Sequence, residues 1–431
     1  MDTLATRQPV FDRREQLFGY DLIVRRAGRV NDEAGSPGAR PEIDTISDVG
    51  VDRIAAGRQV FVNVDRAMLL AGAAESLPTD RVILQIRPRP GANGAWIHSC
   101  AELAQAGFRM SIATNRPQEL PDELLRFADF VKIEVAGVDR ARLSDMVARL
   151  RGFNARLVAS RVRHRIERDI CTNLGFELFE GFRFSGPARL TRRDLPLECL
   201  RTFRLLKMLH DPNATDSEIE DTLRRDVALS YKLFRMVNSG AVGGRDVWSI
   251  GHALRLLGRD QVIRWLVLLV VTDCARPGVQ GELVTVALTR ARMCELVANA
   301  TGAPRARMPM FMVGMLSVLD LLLETPMDTI VEAIDLAPDV RAALLRRGEC
   351  YGTMLDLVEA YEQGTWERVE SITRTLGVET ETLLLYYLDA LAWASEHQGS
   401  RSEVTRPVTR PSDRRESPAD SAHSTQVARL R

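Results

Sequence analysis

Residues 7–26 read RQPVFDRREQLFGYDLIVRR. Two short apolar runs, 9–12 and 20–26, flank a charged turn, and they lie too close for a parallel crossover, which takes a dozen or more residues. The stretch therefore predicts an antiparallel hairpin. Working outward, six more β-branched runs follow at 60–65, 82–87, 109–114, 130–135, 156–161 and 180–184. Amphipathic segments such as 95–106 and 141–151 separate them. Strands alternating with helices predict a β/α barrel, and residues 1–187 are short for one, so its loops and helices must be trimmed. The Gly- and Pro-rich stretch 36–41 reads as a mobile loop within it.

From residue 195 the pattern changes to helix after helix, which makes the predicted class α/β followed by all-α. Thr215 to Glu218 spell a capping box that opens one helix. Ser249 is placed to cap a short helix ending near Gly258, and 259–272 is apolar on nearly all sides. A further helix is predicted over 310–323. The predicted division is a barrel over 1–187, a linker over 188–194, a helical domain over 195–396, and a tail over 397–431. The tail, rich in Ser, Pro and Arg, has too few apolar residues to offset the entropy of ordering and should be disordered.

Lys and Arg total 58 and so do Asp and Glu, so no global field draws the chain to nucleic acid. Three of the 58 cations are lysines, Lys132, Lys207 and Lys232. The six cysteines form no Cys-x-x-Cys pair and read as reduced core thiols. The uninterrupted apolar runs fall short of the ~20 residues that span a bilayer, and the N-terminus lacks a basic-then-apolar signal pattern. A cytoplasmic protein with no membrane span is expected.

The segments QPVFD with GYDLIVR, FVNVD at 61–65, FVKIEVAG at 130–137 and FEGFRFSGP at 179–187 resemble, in that order, the EAL domains that hydrolyse cyclic di-GMP. The resemblance implies a two-metal phosphodiesterase site of carboxylates at strand ends, because hard divalent cations need anionic oxygen donors. Carried over position by position, Asp21 stands for the first Glu of the family motif, Asn63 matches its Asn, and Lys132 its Lys. Gln85 stands where a ligand Glu is expected, and Ala113 and Thr114 where the family has adjacent Asp residues. Ser160 and Arg163 take the places of two further Glu residues, and Arg163 would bring a cation close by. The resemblance thus implies the fold without the metal cage: no catalytic residue, no metal and no cofactor are expected. Arg25 and Asn63 could still touch a dinucleotide. The favoured reading has Arg25 capping the barrel mouth and Asn63 satisfying strand-end backbone groups, and disfavours cyclic di-GMP as a ligand.

Residues 195–395 resemble HDOD domains, through LLKMLHDPNATDSEIEDTLRRDVALSYKLFRMVNS (205–239), WSIGHALRLLGRDQVIRWLVLLV (248–270) and MFMVGMLSVLDLLLETPMDTIVEAI (310–334). His210-Asp211 spells the dipeptide of the related metal hydrolases, but it falls at a helix end before Pro212, and no second His cluster accompanies it. A metal role for His210 is not expected. The pairing resembles EAL–HDOD signalling proteins and implies a non-catalytic bacterial regulator that works through protein contacts of its helical domain. The alternative is a cyclic-di-GMP receptor or residual phosphodiesterase. Asn238, Ser239, Arg245 and Trp248 are the candidate partner contacts, since Trp and Arg anchor many interfaces.

Overall fold

The computed structural model describes residues 3–26, 49–65, 68–69, 72–88, 94–181, 197–211, 213–237, 247, 249–274, 279–334, 336–346 and 350–404. Eight strands close into a barrel in chain order: β1 (Thr3–Asp12), β2 (Leu17–Arg26), β3 (Gln59–Val64), β4 (Val82–Ile86), β5 (Arg109–Ala113), β6 (Phe130–Glu134), β7 (Arg156–Ser160) and β8 (Leu178–Glu180). β1 runs antiparallel to both β2 and β8, and the remaining neighbours are parallel. The hairpin turn is set locally by Asp12, whose Oδ1 accepts the backbone N–H of Arg14 and of Gln16, each at 2.8 Å.

Short helices connect the strands: α1 (Val51–Ala55), α2 (Gly94–Gln105), α3 (Asp122–Arg126), α4 (Arg140–Leu150) and α5 (Arg165–Leu174). The barrel interior opens with an apolar layer of Val10, Phe61, Ile83, Phe130, Val158 and Leu178, on which Phe18 packs. Phe18, Phe61 and Phe130 meet edge-on or tilted with ring centroids 5.5–6.2 Å apart. Side chains on a strand alternate faces, so the inward residue after each of these lies two positions further on. That next layer carries the polar groups described below.

The helical half comprises α6 (Leu197–His210), α7 (Asp216–Arg225), α8 (Val227–Val237), α9 (Ile250–Cys274), α10 (Val279–Ala300), α11 (Arg307–Leu316), α12 (Leu319–Leu323), α13 (Met327–Ala333), α14 (Pro338–Leu344), α15 (Cys350–Glu362), α16 (Trp366–Leu376) and α17 (Thr382–Val404). The capping box is present: Glu218 Oε2 accepts the Thr215 N–H at 2.7 Å, and Thr215 Oγ1 accepts the Glu218 N–H at 3.3 Å. Thr215→Ala should lower stability by about 1 kcal/mol, read as a lower urea midpoint with the same slope. Ser249 Oγ accepts the His252 N–H at 3.1 Å, and α9 leaves helical geometry at Gly258, as the sequence suggests.

Several expectations are corrected. The helix predicted over 310–323 is two, because Ser317 Oγ bonds back to the Gly314 carbonyl at 2.7 Å and is itself held by Arg290 at 2.8 Å. α17 continues to Val404, so the first eight residues of the predicted tail are helical; the rest of the tail lies outside the described residues. Cys350 is exposed, whereas Cys100, Cys171 and Cys294 are buried as expected. By length and mean hydropathy Pro304–Leu323 could cross a bilayer, yet it breaks between α11 and α12 and 61% of it is buried in the helical core. The loop at 36–41 and the linker at 188–194 fall outside the described residues.

Above its last pair with β3, Asp21 with Phe61, the hairpin extends past the barrel and is sandwiched by the helical half. Leu4 joins the helical core and Leu384 of α17 joins the barrel core. Tyr361 Oη donates to the Ala5 carbonyl at 3.0 Å, and Tyr387 Oη accepts the Arg7 N–H at 3.4 Å. On the outer face Tyr20 Oη donates to the Glu282 carboxylate at 3.2 Å, beneath the Arg7 guanidinium stacked 3.9 Å from the Tyr20 ring. Burial holds the Glu282 carboxyl above its ordinary pKa, against the pull of Arg7 and the Tyr20 hydroxyl.

Candidate functional site

Two residues along from the apolar layer, the inward positions become Asp21 on β2, Asn63 on β3, Gln85 on β4, Lys132 on β6, Ser160 on β7 and Glu180 on β8. Register aligns Asn63 with Gln85, Ser111 with Gln85, and Ala113 with Lys132, so the strands present one polar tier near their C-terminal ends. This is where barrels of this kind place their chemistry.

Lys132 Nζ lies 2.8 Å from Asp21 Oδ2 and also pairs with Glu180 Oε2. All three side chains are buried. Burial works to lower the Lys132 pKa, but the Asp21 and Glu180 charges override it and leave it above the ordinary lysine value. Burial also raises Glu180 above the ordinary carboxylate value, and the Lys132 charge offsets only part of that. Gln85 Nε2 donates to Asn63 Oδ1 at 2.9 Å and to Asp21 Oδ1 at 3.4 Å; Asn63 Nδ2 in turn donates to the Leu22 carbonyl at 3.4 Å. Gln85 Oε1 and Ser111 Oγ are buried and have no hydrogen-bond partner within the protein.

Not every candidate joins this tier. Thr114 leaves it at the end of β5, where its Oγ1 accepts the Arg116 N–H at 3.0 Å. Ala113 offers no donor atom. Arg163, expected to bring a cation close, is instead exposed past the end of β7, where its N–H donates to Glu167 Oε2 at 2.7 Å; the chain has already left the barrel there. Arg25 faces the helical half and pairs with Glu370 at 3.6 Å. Asn63, expected to satisfy strand-end backbone groups, donates to the carbonyl of Leu22 in the middle of β2 and accepts from Gln85. Glu180 was missed: the signal was an acid at the end of the last strand, inside FEGF, two residues past the inward Leu178. Asn238, Ser239, Arg245 and Trp248 lie outside the described residues. His210 ends α6, and Asp211 past it caps a turn by accepting the Asn213 N–H at 2.8 Å.

Two divalent cations ~3.5–4 Å apart need several carboxylates to offset their charge. Among the described residues the tier offers two, Asp21 and Glu180, and an ammonium already sits between them. The remaining donors are neutral amides and hydroxyls. This donor set does not match what a pair of metals requires.

Comparison with known proteins places the helical half. Residues 195–334 match the model of the HDOD domain. The helical half carries an HDOD domain. With the closed barrel in front of it, the order is that of EAL–HDOD two-domain proteins. The uncharacterized protein YuxH of Bacillus subtilis is 27% identical over 405 residues, covering 91% of this chain and 98% of that protein. The cyclic di-GMP phosphodiesterase CdgJ of Vibrio cholerae is 28% identical over 404 residues, covering 91% of this chain and 93% of that protein. Among solved structures, the Bacillus subtilis YkuI protein, with an EAL domain and in complex with c-di-GMP and calcium, aligns at 15% identity. That alignment has a TM-score of 0.35 and covers 54% of this chain and 72% of that one.

Proposed function

We propose that this EAL–HDOD chain is a non-catalytic signalling protein whose barrel serves as scaffold or sensor and whose HDOD domain delivers the output through protein contacts. The observation that carries the reading is the donor set of the tier: its two carboxylates, Asp21 and Glu180, both pair with Lys132, and the side chains around them are neutral amides and hydroxyls. A site in that state has spent its two acids on an internal cation, and the positions that would supply more hold Gln85, Ala113, Thr114 and Ser160. The test is hydrolysis: purified protein given cyclic di-GMP with Mg²⁺ or Mn²⁺ should show no turnover above a no-protein control. Turnover that disappears in Asp21→Asn would sink the reading.

A second reading is a cyclic-di-GMP receptor or residual phosphodiesterase. It is favoured by the full-length similarity to a relative named as a cyclic di-GMP phosphodiesterase. The same assay separates the two, with equilibrium dialysis of cyclic di-GMP reporting binding without cleavage.

A further inference from the structure

The corner between α15 and α16 packs on the inward face of the hairpin, where the hairpin extends past the barrel. Gln8 pairs with Asp21 across the hairpin and so shares its inward face. Gln8 Nε2 donates to the Gln363 carbonyl at 3.5 Å, and Thr6 Oγ1, on the same face, donates to the Glu362 carbonyl at 3.4 Å. A Cβ on Gly364 would lie 3.3 Å from Ile23 and 3.7 Å from Thr6. Gly364 takes the left-handed φ of 66° that turns α15 into α16, so the corner is shaped to lie flat against the hairpin. Arg25 and Glu370 close the far side.

Behind the corner lies a buried ion cluster centred on Arg290. Glu362, whose backbone carbonyl holds Thr6, accepts from Arg290 in a forked pair, Nη2 to Oε2 at 2.7 Å and Nε to Oε1 at 3.2 Å. Arg290 also reaches Glu359 at 3.1 Å and Ser317 at 2.8 Å, which is the residue that splits α11 from α12. Glu359 is shared with Arg346 at 3.1 Å. One residue, Glu362, thus has its backbone in the interdomain contact and its side chain in the helical core. A buried forked pair tolerates little displacement, because a separated partner is a charge stranded in low dielectric.

We propose that the α15–α16 corner is a joint on the barrel hairpin, and that Glu362 couples its seating to the packing of α10, α11 and α12 in the HDOD half. Displacing the hairpin then loosens the Arg290 cluster, and loosening the cluster unseats the corner. This rests on the reading of the barrel as a sensor or scaffold and supplies the route by which it would act on the helical domain.

Hydrogen exchange of the full-length protein tests the coupling in both directions. Glu362→Gln keeps the shape of the side chain and the carbonyl that Thr6 holds, and removes the charge that Arg290 grips. Amides in residues 3–7 and 22–26 should exchange at least tenfold faster, while 82–86 and 130–134 on the far barrel wall keep their rates. From the other side, Thr6→Val with Arg25→Met should accelerate exchange at least tenfold in 288–292 and 311–317. Linkage demands reciprocity, so rates that stay unchanged across the interface in either variant overturn the proposal. Acceleration spread equally over 82–86 and 130–134 also overturns it, since that is global loosening. Neither arm involves cyclic di-GMP turnover, so the outcome is independent of the hydrolysis assay.

Discussion

Lys132→Met should destabilise the barrel by about 3–5 kcal/mol, because it leaves two buried carboxylates without their cation. For a domain of ~150–250 residues that is a drop in Tm of roughly 2–4 °C for each kcal/mol. The side chain is nearly isosteric, so the loss reports charge and not packing. Asp21 and Glu180 are each 4% exposed, too buried for water to replace the ammonium. The pH dependence identifies the cause. Burial already raises the Glu180 carboxyl, and without the Lys132 charge it holds its proton to a higher pH in the folded state than in the unfolded chain, where a Glu releases it near pH ~4. The folded state then binds more protons above that pH, so stability falls as pH rises. The deficit of the variant should therefore be larger at pH 8 than at pH 5. The triple variant Lys132→Met, Asp21→Asn, Glu180→Gln should recover at least half of it and lose the pH slope. A single variant as stable as wild type at pH 8 would show that the three groups are solvated in a way their burial does not suggest.

That trio also shows how far the sequence could be read. The eight strands were legible because β-branched runs recur with helices between them, and the antiparallel start because 9–12 and 20–26 stand so close. The barrel's inner tiers follow from period-2 alternation: Phe61 predicts Asn63, Phe130 predicts Lys132, and Leu178 predicts Glu180. The first two were found through the family motif. Glu180 lies outside the positions that the family motif marks, so the alternation along β8 alone points to it. Arg163 stands away from its motif position because Arg161, at φ 54°, turns the chain outward after β7.

What no local pattern carries is the joint between the halves. Thr6 meets Glu362, Ala5 meets Tyr361 and Tyr20 meets Glu282 across separations of 262 to 356 residues. Read alone, Tyr20 and Ile23 are ordinary strand residues of a barrel hairpin. Their upper neighbours are buried because helices from the other domain cover them, and hydrophobic periodicity says only that something must.

Gly314→Val should be the most damaging single change in the helical domain, costing about 3 kcal/mol or more. A Cβ at position 314 would stand 2.6 Å from Ala291 Cα and 2.7 Å from both the Ala291 nitrogen and the Arg290 carbonyl. These are backbone atoms of α10, so no rotamer change relieves the clash and the two helices must part. Overpacking in a rigid interior costs 1–3 kcal/mol when side chains can yield, and here the obstacle is main chain. The separation would also pull on Arg290, whose carbonyl is one of the atoms struck and whose side chain anchors Ser317 and Glu362. Gly352→Ala in α15 is the control. Nothing lies within 4 Å of its Cβ, so adding a methyl there should gain roughly 0.5–1 kcal/mol from lost backbone freedom in the unfolded chain. Urea titrations of the two variants should therefore move in opposite directions. A Gly314 variant within 1 kcal/mol of wild type would mean that α10 and α11 do not cross as closely as these distances require.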